Sequence, residues 1–226
     1  MAGSSKVIRL IDAPKGNGGP ARRKAAGTEA TQPDAADLVQ ALRAGEPWAE
    51  RAFLEGETGH VERILTRILG FHSELDDLTQ EVFSRAFARV EELREPDALR
   101  GWLSAIAVFV AREAIRKKRR RRWLLFRSPE EMPEIAADSV SPEARAALRA
   151  FYEVVAGLDA DTQIAFTLRC VGGLELTEIA EACEVSLATI KRRIKRAAND
   201  FYARGRARPD LVAWFEEGTR WRPIKS

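Results

Sequence analysis

The stretch LELTEIAEACEVSLATIKRRIKRAANDFY, residues 174–202, carries two short helical patterns separated by a turn. Leu176 to Cys183 is a compact amphipathic segment, Glu184-Val185 supplies the turn, and Ser186 stands where it can cap a helix beginning at Leu187. Ala180 is small where two helices must cross closely, and Ile179, Val185, Ile190 and Ile194 are the expected shared core. Stepping about 100° per residue from Ile190 puts Leu187, Ile194, Ala197 and Phe201 on the buried side. Ala188, Arg192, Lys195 and Asn199 face the other way, flanked by Thr189, Lys191 and Arg196.

A basic helix face interleaved with small and hydroxylated residues can enter a major groove. Arg and Lys there reach guanine edges or phosphate, and the helix N-terminus can sit on a phosphate. Ser186, Ala188, Thr189, Lys191, Arg192, Lys195, Arg196 and Asn199 are therefore the candidate DNA contacts of this helix-turn-helix. The alternative is a solvated face on a core helix. The turn and the capped basic helix together favour the groove, without saying which class of regulator this is.

Charge distribution supports a polyanionic partner. The formal net charge is only +3, but Arg116 to Arg122 is an unbroken run of cations and Lys191 to Arg196 holds a second cluster. Glu130 to Glu143 carries acids and no cation. The cysteines, Cys170 and Cys183, form no CxxC pair, and His60 and His72 lie far off in sequence, so core thiols are expected rather than a metal site. No apolar stretch approaches the roughly 20 residues needed to span a bilayer, and the N-terminus lacks a sustained apolar segment. A cytoplasmic protein without cofactor or membrane insertion is expected. No GxxxxGK[ST] loop, HExxH or HxxxH pair, or Ser/His/Asp set is present, so an enzyme is not expected.

Outward from the motif the chain reads as all-α, in two small helical domains. Residues 1–33 are rich in Gly, Ala, Pro and basic residues without periodicity and read as a disordered extension. Residues 34–122 form a first helical domain, with helices expected at 34–45, 47–69, 73–92 and 97–119. Ser73 with Asp76 resembles a capping box, and Asp97 is placed to cap the next helix. Residues 123–141 are an acidic, proline-containing linker. Residues 142–204 form the second domain, opened by Ser141-Pro142-Glu143, with helices near 142–157, 160–171, 175–183 and 187–204. The tail, 205–226, carries Trp214, Phe215 and Trp221, enough to dock a short helix.

The class comes from residues 74–122. The segment from Glu74 to Phe87, ELDDLTQEVFSRAF, resembles region 2.2 of sigma-70-family factors, and Leu99 to Ala107, LRGWLSAIA, followed by cations resembles regions 2.3–2.4. Leu158 to Arg169, Gly173 to Ala180 and Thr189 to Ile194 resemble region 4, and the short acidic linker resembles the extracytoplasmic-function subgroup. The resemblance covers about residues 34–203. It implies a promoter-specificity subunit that binds core RNA polymerase through the β′ clamp helices and β flap, and admits an anti-sigma factor as a further partner. Asp76, Asp77, Gln80, Glu81, Phe83 and Arg85 would meet the polymerase, with carboxylates beside an exposed aromatic suiting a basic partner helix.

The same resemblance assigns the 187–199 helix to the −35 element and helix 97–119 to the −10 element. Arg100, Trp102, Phe109, Arg112, Arg116, Lys117, Arg119 and Arg120 would hold the melted strand. The segment from Trp102 to Ala111 is apolar nearly all round and so should be covered on more than one side, or meet a base or a partner. The loop around Val90 to Asp97 would correspond to a pocket for a flipped base. Residues 130–138 would either thread the polymerase cleft or act as a plain tether. Three positions depart from the family pattern: Val108, which stands where relatives often have a basic residue, Phe109 and Glu184. Phe109 stands where many relatives have Asn, which favours stacking or core packing over polar readout. Glu184 replaces the common turn glycine, so the turn is expected to avoid positive φ. A stand-alone helix-turn-helix regulator would also explain the C-terminal block, but not the acidic 74–87 helix or the apolar-then-basic 102–122 segment.

Overall fold

The computed structural model describes residues 34–70, 72–125 and 142–211, with 122–125 as backbone only. The expected extension 1–33, the stretch 126–141 and the tail beyond Leu211 lie outside these residues. Among the described residues every regular element is helical. The elements are α1 (Ala35–Arg43), α2 (Pro47–Leu69), α3 (Leu75–Arg89), α4 (Leu99–Leu125), α5 (Pro142–Val155), α6 (Ala160–Cys170), α7 (Leu176–Ala182) and α8 (Leu187–Gly205). Single 3-10 turns occupy Val90–Glu92, Pro96–Ala98 and Pro209–Leu211.

Local chemistry explains most boundaries. Pro47 opens α2, where its missing N–H is no loss. Gly70 ends α2 at φ 75°, a backbone conformation that favours glycine, and a Cβ there would press on the Tyr152 ring at 3.1 Å. The expected Ser73 cap does not form. Glu74 precedes α3, and its N–H donates to His72 Nδ1 at 3.2 Å. Asp97 falls inside the 3-10 turn ahead of α4 rather than at a cap. Helix α4 runs on to Leu125, past the expected end at 119 and into the expected linker, in keeping with the good helix propensity of arginine and lysine.

Helices α1 to α4 bury one apolar face around Phe53. Its ring meets Phe83 edge-on at 5.5 Å and Phe87 at 5.9 Å. A second cluster in the C-terminal block is centred on Phe151, Phe166 and Phe201, with centroid separations of 5.2–6.1 Å, and is closed by the fully buried Leu211. The two blocks pack face to face: α6 lies on α2 and α4, and α7 lies on α4. Ile164, Leu168, Ile179 and Ile190 of the C-terminal block belong to the same continuous core as α1 to α4. This contact resolves the all-round apolar character of Trp102 to Ala111. One side of α4 is covered by α2 and α3, the other by α6 and α7.

Candidate nucleic-acid interface

The turn between α7 and α8 is set by backbone geometry. Val185 N–H donates to Ala180 O at 3.0 Å and Glu184 N–H to Glu181 O at 3.0 Å. This pair of bonds is a Schellman closure, which places the residue after the C-cap in the left-handed region. That residue is Glu184, at φ 54°, the sole non-glycine with positive φ among the described residues. The expectation that the turn avoids positive φ is therefore overturned. Two hydrogen bonds that satisfy the last carbonyls of α7 outweigh the roughly 1–2 kcal/mol that a side chain costs there.

The expected cap of α8 forms. Ser186 Oγ accepts the Thr189 N–H at 3.2 Å and lies 3.0 Å from Thr189 Oγ1. At the other end of the motif, Glu175 N–H donates to Glu178 Oε2 at 2.7 Å. On α8, Ala188, Lys191, Arg192, Arg196 and Asn199 are exposed, as is Ser186, while Thr189 and Lys195 are half-buried. Ile190, Ala197 and Phe201 are buried, and Ile194 and Val185 pack at the edge of the core. Leu187 differs from expectation: at 37% exposure it sits at the mouth of a shallow recess that it lines with Thr177, Ala180 and Glu181 of α7. Arg196 comes within 3.8 Å of Asp159 at the α6 N-cap. Burial works against the Asp159 carboxylate, but the Thr162 N–H and hydroxyl and the nearby Arg196 and Arg119 hold its pKa below the ordinary value.

On α4 the expected strand-binding residues separate into three groups. Lys117 and Arg120 are exposed, and Arg100 makes a bidentate pair with Glu57 at 3.1 Å for both bonds. Trp102 is half-buried against the core. Phe109 is 43% exposed, although its neighbours Val108 and Val110 are buried, and the Arg85 guanidinium stands 5.1 Å from its ring centroid. Arg85 is itself held by Glu81 and Glu113, each at 2.7 Å. Arg112, Arg116 and Arg119 turn toward the C-terminal block. Arg112 Nε donates to Asp161 Oδ1 at 2.8 Å, Arg116 reaches the other oxygen at 3.7 Å, and Arg119 donates to Ala156 O at 3.2 Å.

On α3, Asp76, Asp77, Gln80 and Glu81 are exposed. Phe83 is not the exposed aromatic expected there. At 4% exposure it belongs to the core against Phe53 and forms the floor of a groove between α2 and α3, beside Leu54, Thr79 and Phe87. The 90–97 segment packs on α1, with Leu93 buried and Arg43 donating to Leu93 O.

Sequence reading missed Asp161, Arg193 and Glu113. Arg193 lies at the margin of the buried face of α8, 3.8 Å from Asp161, with its Nη1 buried and without a protein partner. Asp161 looked like an ordinary acid in the first turn of a helix, where the helix dipole alone favours it. Cys183 is buried, which pushes its thiol up to about 11 and makes it a poor nucleophile. Among the described residues no cluster of His, Cys, Asp and Glu could hold a metal ion, and no helix is long and apolar enough to cross a membrane.

Comparison with known proteins matches the two blocks separately. The family model for sigma-70 region 2 matches residues 55–121, and that for sigma-70 region 4 matches residues 148–199. The ECF RNA polymerase sigma factor SigC of Mycobacterium tuberculosis is 30% identical over 185 residues, covering 78% of this chain and 95% of that protein. The ECF RNA polymerase sigma-E factor of Haemophilus influenzae is 27% identical over 169 residues, covering 71% and 89%. Among solved structures, CnrH in complex with the cytosolic domain of CnrY matches in fold. Its TM-score is 0.53 at 22% identity, over 77% of this chain and 99% of that one.

Proposed function

This chain belongs to the extracytoplasmic-function sigma factors of the sigma-70 family and is a promoter-specificity subunit of RNA polymerase, and on that premise we propose how its residues divide the work. The first helical domain, 34–122, docks on the polymerase and holds −10 DNA, while the second, 142–204, reads −35 DNA. The observation that carries the reading is the exposed Ala188, Lys191, Arg192, Arg196 and Asn199 face behind a capped helix start. Arg192 and Lys191 suit base edges or phosphates, and the Ser186 end of α8 suits a phosphate. Phe109, with Arg85 above it, offers a face on which an unpaired −10 base stacks, and Arg100, Lys117 and Arg120 hold the strand backbone. Stacking of an extruded base lowers the cost of opening, so no catalytic step by this chain is needed.

Asp76, Asp77, Gln80 and Glu81 supply the acidic rim for the β′ clamp helices, with Phe83 acting from the floor of the groove, and the second domain meets the β flap. Such a factor works in the cytoplasm beside the polymerase and is not an enzyme. The solved structure of CnrH is a complex with the cytosolic domain of another protein, CnrY. An anti-sigma partner of that kind is proposed here too.

The test is run-off transcription with purified core polymerase, with Asp77→Ala/Gln80→Ala as the docking variant. The chain is expected to direct specific starts, and the double variant to lower polymerase affinity. Unchanged affinity sinks the docking assignment. Tight promoter binding without polymerase and no effect on start sites would instead favour a stand-alone regulator.

A further inference from the structure

The groove between α2 and α3 lacks three things at once: cover for its apolar floor, a partner for a buried hydroxyl, and cations for its acids. Leu54, Phe83, Phe87 and Thr79 line it together with Glu62 and Asp76. Leu54 is 37% exposed, a large apolar side chain open to solvent. Thr79 is buried, at 7% exposure, yet its hydroxyl has no hydrogen-bond partner among the described residues. A hydroxyl shut away from water costs free energy until a partner reaches it. Glu62 and Asp76 form no ion pair among the described residues, so their charges stay open to a cation. A segment that is both apolar and basic answers all three needs.

The chain carries one such segment outside the described residues. Val7, Ile8, Leu10 and Ile11 are the only branched aliphatic residues of the 1–33 extension, and Lys6 and Arg9 interleave them. At about 100° per residue, Val7, Leu10 and Ile11 share one side of a helix and Arg9 takes the other. The extension adds Lys15, Arg22, Arg23 and Lys24 against Asp12 and Glu29, so it is basic where the groove is acidic. Length permits the match. Residues 12–33 span up to about 70 Å, whereas the whole of α2 is about 35 Å long. Helix α1, with which the described residues begin, packs directly on α2.

We infer that the segment 6–11 docks in the α2/α3 groove of its own chain and competes there with RNA polymerase. The competition rests on the assignment of the acidic α3 face to polymerase docking; the docking of the arm does not. Val7, Leu10 and Ile11 cover Leu54, Phe83 and Phe87. Lys6 and Arg9 reach Glu62 and Asp76, and a backbone group of the arm satisfies Thr79. Apparent affinity for polymerase then falls by the fraction of molecules whose groove is free.

The test uses the full chain. Trypsin cuts after Arg9 and after Lys24, and initial cleavage of a docked site tracks the fraction of time it is free. Val7→Ser/Ile11→Ser removes apolar cover from the arm without touching the folded blocks. Leu54→Lys alters the groove at an exposed position. Cleavage after Arg9 is expected to run about tenfold slower in wild type than in either variant, with cleavage after Lys24 the same in all three. The affinity of Val7→Ser/Ile11→Ser for core polymerase is expected to rise by the same factor, about tenfold.

Equal Arg9 cleavage in wild type and the arm variant would overturn the docking. So would protection that survives Leu54→Lys, or that grows with protein concentration, the mark of a second copy's arm. If Leu54→Lys fails to fold by circular dichroism, Ser84→Lys, exposed in the same groove, decides in its place. A protected Arg9 with unchanged polymerase affinity in the arm variant would overturn the competition. If Asp77→Ala/Gln80→Ala leaves polymerase affinity unchanged while Arg9 is protected in wild type, the polymerase assignment fails and takes the competition with it, and the docked arm stands.

Discussion

Glu184 shows how a residue can be placed against its own preference. The Schellman closure of α7 needs a left-handed residue, and the chain supplies a glutamate at φ 54°. Glu184→Gly should therefore raise stability by about 0.5–1 kcal/mol, the relief of strain outweighing the added freedom of the unfolded chain. Denaturant unfolding checks this, and a loss of stability would show that the side chain does something not visible in its contacts. The Ser186 cap was legible, because a hydroxyl just ahead of an apolar-periodic run has one ready use. The Glu184 conformation was not legible, because it follows from which carbonyls of α7 need donors, not from the residue type.

His60 makes a second prediction at this scale. Ser104 Oγ donates to Arg100 O, so His60 Nε2–H is the donor in its 2.8 Å contact with Ser104. Burial, partly opposed by Glu57 and reinforced by Arg100, lowers the His60 pKa below its ordinary 6.5. The unfolded chain then takes up this proton first as pH falls. The contribution of His60 to stability is complete above about pH 6.5 and is lost as pH falls toward the folded-state value. Melting temperatures from pH 7.5 to 5 should fall less steeply in His60→Asn than in wild type. Equal slopes would remove His60 from the account.

Among the elements, α8 was the most legible and α3 the least. The outward face of α8 followed from period and charge, while Arg193 escaped because its position on the margin of the buried face depends on what α8 packs against. Arg192→Ala should cost about 1–3 kcal/mol of −35 recognition with the melting temperature nearly unchanged, since Arg192 is exposed. A large loss of fold, or no change in promoter preference, would contradict that role. On α3 the resemblance to region 2.2 implied that Phe83 is an exposed aromatic, yet Phe53 and Phe83 meet edge-on inside the block. Phe83→Ala should cost about 3–5 kcal/mol of stability, whereas Asp77→Ala with Gln80→Ala should leave unfolding almost untouched and lower polymerase binding. An Asp77/Gln80 double variant that unfolds, or a Phe83 variant that does not, would reverse this division.

At the scale of the whole molecule, the order of the two blocks and their all-helical character were readable from pattern and resemblance. Their mutual packing was not. The all-round apolar stretch from Trp102 to Ala111 signalled only that something must cover a second side of α4. That the cover is α6 and α7 depends on contacts such as Arg112 with Asp161, which residue spacing does not encode. The central claim is that this chain gives the polymerase its choice of promoter through α8. The most direct measurement is transcription of genomic DNA by purified core polymerase with and without the chain, reading start sites and the sequences upstream of them. The account predicts new starts that share upstream elements and that weaken with Arg192→Ala. Identical start sites with and without the chain would contradict it.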